Sequence, residues 1–338
     1  MYTVRKDRTS RYRRVWSEFI KAWRELTGGR TERMVGLKHD SARKAAVEGA
    51  AQAVFTLCGC FSVFAVIFIT LYMMVGGVPA VFKVGIKEIL FRSVWEPVAA
   101  EPKYGILYII LTSVIGTGLA VMLGAPVGIL TAVFLAEMAE RRMAAVIRSG
   151  VELMAGIPSV VYGLLGNYLL NPLMYRLEQK IFAGSRTHQF TGGSNLLSAV
   201  FVLAIMILPT IISVSETAIR AVSPDIKAAS LALGASRTQT IFKSVLPAAK
   251  SGVVTAIVLA VGRAIGEAMA ITLVSGNSVN LPLPFHSVRF LTSAVVTEMS
   301  YAQGTHRQML FTIGLLLFLF IMIINMILNH VLKKGRET

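Results

Sequence analysis

Residues 222–247 read VSPDIKAASLALGASRTQTIFKSVLP. The stretch is polar enough for water, yet it is bracketed by long apolar runs on both sides. Its punctuation predicts two short helices meeting at a bend. Ser223 can cap a helix, Pro224 suits the first turn, and Asp225 favours the positive helix end. Ala228 to Leu233 continue that helix, and Gly234 can take the left-handed conformation that stops it. Ser236 can open a second short helix, which Pro247 is expected to end. On this pattern alone an ordinary loop re-entering between two membrane spans is an equally good account.

Working outward, the flanks decide the fold class. The chain has 338 residues, 54% hydrophobic and 15% charged, whereas soluble domains carry about 25% charged residues. A spanning helix needs roughly 20 mostly apolar residues. Six stretches meet that requirement, at about 50–76, 105–136, 145–170, 195–219, 248–276 and 308–332. FAVIFITLYMMV and MLFTIGLLLFLFIMIINMIL do not alternate, as strands of a membrane barrel would. The sequence therefore predicts an all-α integral membrane protein with six transmembrane helices. Residues 1–49 form a basic tail, and residues 50–335 a single transmembrane domain with a polar loop at 220–250. The first apolar run starts near Ala50, too late for a cleaved signal sequence, and is read as a retained first helix.

The formal net charge is +16. On a soluble chain that would suggest nucleic acid, but here location argues against it. Residues 1–47 hold thirteen Lys/Arg against five Asp/Glu. Arg141, Arg142 and Arg148, then Arg220, Lys227, Arg237, Lys243 and Lys250, and finally Lys333, Lys334 and Arg336 fall on the same side if there are six spans. Basic residues near span ends mark the cytoplasmic face, so both termini are expected inside. The tail segment VWSEFIKAWREL (15–26) has helical apolar spacing with basic residues between. It suits either an anionic lipid surface or a cytoplasmic partner. Cys58 and Cys60 are expected to be buried free thiols. The five histidines are scattered, and no metal site is expected.

A second stretch, LAVGRAIGEAMAITLVSGN (259–277), places Arg263 and Glu267 inside an apolar run. Their i,i+4 spacing predicts one helix face. A lone charge at mid-bilayer costs from about 2.5 to over 10 kcal/mol, so this face should point inward. One reading is a neutralised salt bridge that sets helix register. The other is an anion waypoint or gate, with a guanidinium fork suited to phosphate oxygens. Gly262 and Gly266 are expected to let another backbone approach closely.

The 222–247 loop resembles the EAA motif of ATP-binding-cassette importer permeases. Gly234, Leu246 and Pro247 hold the spacing of that motif, while Ala228, Ala229 and Ser230 occupy the positions of its Glu-Ala-Ala triplet, so the glutamate is missing. WEPVAAEPKYGIL, GAPVGILTAVFLAEMA, AGIPSVVYGLLG and the run from Leu231 to Asn277 are similar to the phosphate-import permease subunit of the PstC type, over about residues 50–335. The resemblance implies a type I importer permease fold (MetI-like) in the bacterial cytoplasmic membrane. It implies that the loop docks on an ATPase; Lys227, beside the missing glutamate, changes the local charge sign and is expected to meet an acidic partner. The implied partners are a PstA-like second permease subunit, a PstB-like ATPase dimer and a PstS-like phosphate-binding protein. Membrane lipid, and a sensor kinase that reads phosphate status, complete the expectation. The chain has no phosphate-binding GxxxxGK[ST] loop, so it is expected to be non-catalytic, with ATP and Mg on the partner. Sulfate or molybdate import, and an ion-gradient-driven secondary transporter, are the alternatives.

Overall fold

The computed structural model describes residues 38–334, with side chains described for 47–326. The chain divides into two units, one ending at Phe68 and one beginning at Ile69. Helix α1 (Lys38–Val84) runs through both. It is longer than the predicted 50–76 span and continues through Pro79. In the first unit every side chain from Val47 to Phe64 is exposed. Phe64 and Phe68 stack there with centroids 6.3 Å apart. Cys58 and Cys60 are free, but exposed rather than buried. A thiol is a small, weakly polar group, and an apolar stretch of spanning helix accommodates it without burial inside the chain. The amphipathic segment 15–26 lies outside the described residues.

The second unit continues with α2 (Ile86–Phe91), a two-stranded antiparallel ribbon of β1 (Trp95–Glu96) and β2 (Lys103–Tyr104), and α3 (Leu107–Val133). A π turn, Phe134–Met138, extends α3. Then come α4 (Arg141–Gly156), α5 (Ser159–Leu165), a π turn at Gly166–Leu170 and α6 (Asn171–Ile181). The long α7 (Leu196–Arg220) leads into α8 (Pro224–Ala232) and α9 (Arg237–Thr240). A π turn, Ile241–Val245, and the helical turn Leu246–Ala248 lead to α10 (Lys250–Gly266). The chain finishes with α11 (Met269–Val274), α12 (Leu291–Glu298) and α13 (Gly304–Lys334).

Four of these helices are long and apolar enough to cross a membrane, or up to six if each bent pair counts as one span. The predicted third span, 145–170, is one such pair. Arg141–Gly156 and Ser159–Ile181 meet at 98°. Pro158 lacks an N–H and forces Ile157 out of the helical region, to φ −70, ψ 126. The predicted fifth span, 248–276, is interrupted at Glu267, which is extended at φ −72, ψ 132. Pro247 does not end a helix as expected. It sits in the first turn of Leu246–Ala248, where a missing N–H costs little, and the 69° bend falls between Ala248 and Lys250.

Helix α7 is the centre of the second unit. In its most apolar stretch 61% of residues are buried within the chain, against 39% for α3 and 22% for α13. Leu203, Met206, Ile207 and Ile211 form the heart of the largest apolar cluster. Glycines set the closest approaches. A Cβ on Gly124 would lie 2.9 Å from Ile207, and one on Gly128 2.7 Å from Ile211, so α3 lies directly on α7. Gly252 of α10 is tighter still, its Cβ position being 2.2 Å from that of Ala218.

Candidate functional site

Two regions hold the residues singled out by the sequence. The first is the 222–247 elbow. Ser223 Oγ accepts from the Asp225 N–H at 3.2 Å and caps α8. Gly234 stops the segment with φ +82, a conformation that costs other residues strain. Ser236 and Gln239 form a reciprocal capping box, at 3.2 and 3.0 Å, that starts α9. Each of these features follows the predicted punctuation. Ser230 Oγ lies 3.0 Å from Thr240 Oγ1, and Ser244 Oγ donates to Ser230 Oγ at 3.3 Å, which ties the two short helices together.

At the triplet positions Ala228 and Ala229 are exposed and Ser230 is half-buried; Leu246 is half-buried and Pro247 exposed. The tip is apolar and uncovered. Leu233 is 89% exposed, and Ile226 and Leu231 are also exposed. An open groove of about 670 Å³ beside it is lined by Ile226, Ala229, Leu233 and Gln239, among others. Lys227 does not point out toward a partner. Its Nζ pairs with Glu137 in the π turn that ends α3. Nearby, Glu216 accepts from Arg148 at 2.7 Å and from Arg220 at 2.8 Å. Arg220 also donates to the Leu135 carbonyl at 2.7 Å. That carbonyl lies in the last turn of the α3 segment, where oxygens lack helical partners.

The second region surrounds Arg263. The expected single helix face is not formed, because α10 ends at Gly266. Glu267 caps α11 instead, its carboxylate accepting from the Ala270 N–H at 2.9 Å. Its carbonyl accepts from Thr292 Oγ1 at 2.6 Å. Among the described residues no carboxylate lies within 4 Å of Arg263. Its guanidinium instead reaches Thr210 Oγ1 of α7 at 3.4 Å. The salt bridge read from the sequence is thus replaced by a threonine contact and a helix cap. Gly262 and Gly266 do not mediate close packing within this chain, since a Cβ on either would meet nothing within 4 Å. Their open face adjoins Arg263.

Sequence reasoning missed Thr210, Glu137 and Glu216. Glu216 and Arg220 were findable as an i,i+4 pair at the end of an apolar run. Thr210 carries no local signal. A third polar node, on the opposite end from the elbow, was also missed. Buried Glu298 accepts from Trp95 Nε1 at 3.2 and 3.0 Å, pairs with Arg289, and lies 2.8 Å from His306 Nε2. Burial, and then the Glu298 carboxylate, push the neighbouring Tyr301 hydroxyl up, while Arg289 pulls it down.

The described helices thus combine several candidate membrane spans with an apolar, glycine-bent elbow and a half-buried arginine. The chain belongs to the family described as binding-protein-dependent transport system inner membrane component, which matches residues 124–337. It is 36% identical over 280 residues to the probable ABC transporter permease protein YqgH of Bacillus subtilis, covering 80% of this chain and 87% of that protein. It is 32% identical over 259 residues to the phosphate transport system permease protein PstC of Haemophilus influenzae, covering 74% and 82%. Among solved structures it is similar to a chain of a bacterial alginate ABC transporter in complex with an alginate pentasaccharide-bound periplasmic protein. There the TM-score is 0.59 at 14% identity, over 87% of this chain and 96% of that one. The chain is therefore a multi-pass membrane permease with the type I importer fold.

Proposed function

We propose that this chain is one permease subunit of an ATP-driven inorganic phosphate importer and forms half of the translocation pathway. The observation that carries the reading is the similarity, across most of the chain, to phosphate transport permeases of the PstC type. The geometry agrees with it. Arg263 is a cation without a carboxylate within 4 Å among the described residues, and a guanidinium fork matches phosphate oxygens. The missing ion pair favours the waypoint role over a purely structural bridge. Contact that is not enclosed suits passage, because a pathway that grips its solute does not release it. The open face of Gly262 and Gly266 then belongs to the lumen or to a PstA-like second permease.

The elbow at 220–250 docks on a PstB-like ATPase dimer, with Leu233 and its apolar neighbours as the contact. ATP and Mg bind there, not on this chain. The elbow and both termini lie on the cytoplasmic side, in keeping with the basic residues of those segments. A PstS-like binding protein delivers phosphate at the opposite end. The test is labelled phosphate uptake into liposomes holding the reconstituted complex. Uptake that requires ATP and is not competed by sulfate or molybdate supports the proposal. ATP-independent uptake driven by an ion gradient would overturn it, and competition by sulfate would reassign the solute.

A further inference from the structure

Helix α8 buries none of its residues. Its short link to α7 and its polar contacts therefore do more to place it than a buried apolar face does. Asp225 is engaged by Ser223 at the cap, with the hydroxyl donating to the carboxylate at 3.2 Å. Ser230 bonds only within the elbow. Among the described residues, Lys227–Glu137 is the one ion pair that joins α8 to another helical segment; Ser230 ties α8 to Thr240 and Ser244, on the first half of the bent fifth span. The Glu137 side chain is 11% exposed and that of Lys227 30%, so water screens the pair far less than it would a surface pair.

We propose that the Lys227–Glu137 pair is a positioning strut that transmits movement of the ATPase-docked elbow into the membrane bundle. Glu137 terminates α3, which lies on α7 through Gly124 and Gly128. Helix α7 in turn carries Thr210, the residue Arg263 contacts. A shift of α8 thus has a rigid route to the helix that holds the arginine. The inference rests on the reading of 220–250 as the ATPase-coupling loop.

The test uses the full reconstituted complex and measures phosphate uptake per ATP hydrolysed. Lys227→Glu and Glu137→Lys each place two like charges together. Each is expected to lower uptake per ATP at least about fivefold, and the double charge swap to restore it to within about twofold. Lys227→Arg, which keeps the charge, is expected to couple normally. The neutral double variant Lys227→Met/Glu137→Gln leaves no unpaired buried charge, so it should fold even where the single reversals do not; it is expected to couple poorly. A neutral double variant that couples like the parent, or a swap no better than the single reversals, overturns the strut. Co-purification of the ATPase is scored in the same preparations, with Leu233→Asp alongside. Retention of the ATPase by Leu233→Asp would overturn the docking reading and the strut with it, whereas its loss there together with normal coupling in the neutral double variant would overturn the strut alone.

Discussion

The indole nitrogen of Trp95 donates to both carboxylate oxygens of Glu298, 203 residues further along the chain. This joins the ribbon before α3 to α12, and His306 at 2.8 Å adds α13. Arg289, in the same cluster, has a side chain only 17% exposed. Its remaining contact is the Asn277 carbonyl, at 2.7 Å. Glu298→Ala leaves this buried guanidinium without a counter-charge and is expected to cost about 3–5 kcal/mol. Trp95→Phe removes the donor and part of a buried ring but leaves no charge unpaired, and is expected to cost less, about 1–3 kcal/mol. Thermal unfolding of the purified protein in detergent checks both, and equal losses would contradict the assigned roles.

The glycines give a second contrast. A Cβ on Gly252 would lie 2.2 Å from Ala218, while one on Gly262 would meet nothing within 4 Å. Gly252→Val is expected to destabilise the chain by about 1–3 kcal/mol through overpacking. Gly262→Ala is expected to hold or slightly raise its unfolding temperature, since alanine is the better helix former, and any defect it shows should appear only in the assembled transporter.

Arg263→Ala is expected to reduce phosphate uptake by about tenfold or more, the scale of one charge-assisted contact. Arg263→Lys should not restore it if the planar fork is what matters. Thr210→Val removes the 3.4 Å contact and should give a smaller loss. Unaltered uptake by Arg263→Ala would remove this residue from the pathway.

At the elbow tip, Leu233 is 89% exposed. Leu233→Asp is expected to leave the folded chain intact and to abolish co-purification of the ATPase. Gly234→Ala forces a side chain into φ +82 and is expected to cost about 1 kcal/mol locally. It should weaken that co-purification without abolishing it.

Much of this architecture is written in short-range signals. The elbow was legible because each of its turns depends on one residue's own backbone preference, as at Ser223, Gly234 and Ser236. Apolar length located the spans. What escaped were features set by distant neighbours. The turn at Ile157–Pro158 looked like a continuous apolar run because hydropathy does not register a missing N–H. The break at Glu267 escaped for a related reason: i,i+4 spacing assumes the helix it is used to predict, whereas the Glu267 carboxylate gains more from a bare amide at Ala270. Gly262 and Gly266 carried the packing motif, while the real close contact fell on Gly252, whose partner Ala218 lies on another helix. Lys227 and Glu137 are 90 residues apart, and nothing local announces them.

The capping role of Glu267 has an electrical corollary for the empty transporter. With that carboxylate turned to a backbone amide, the Arg263 guanidinium keeps its donors free of any carboxylate among the described residues. A standing positive potential along the proposed route repels sodium, potassium and hydronium alike. On the proposed route, the same arginine that favours an oxyanion would disfavour the small cations whose leakage runs down the cell's membrane voltage.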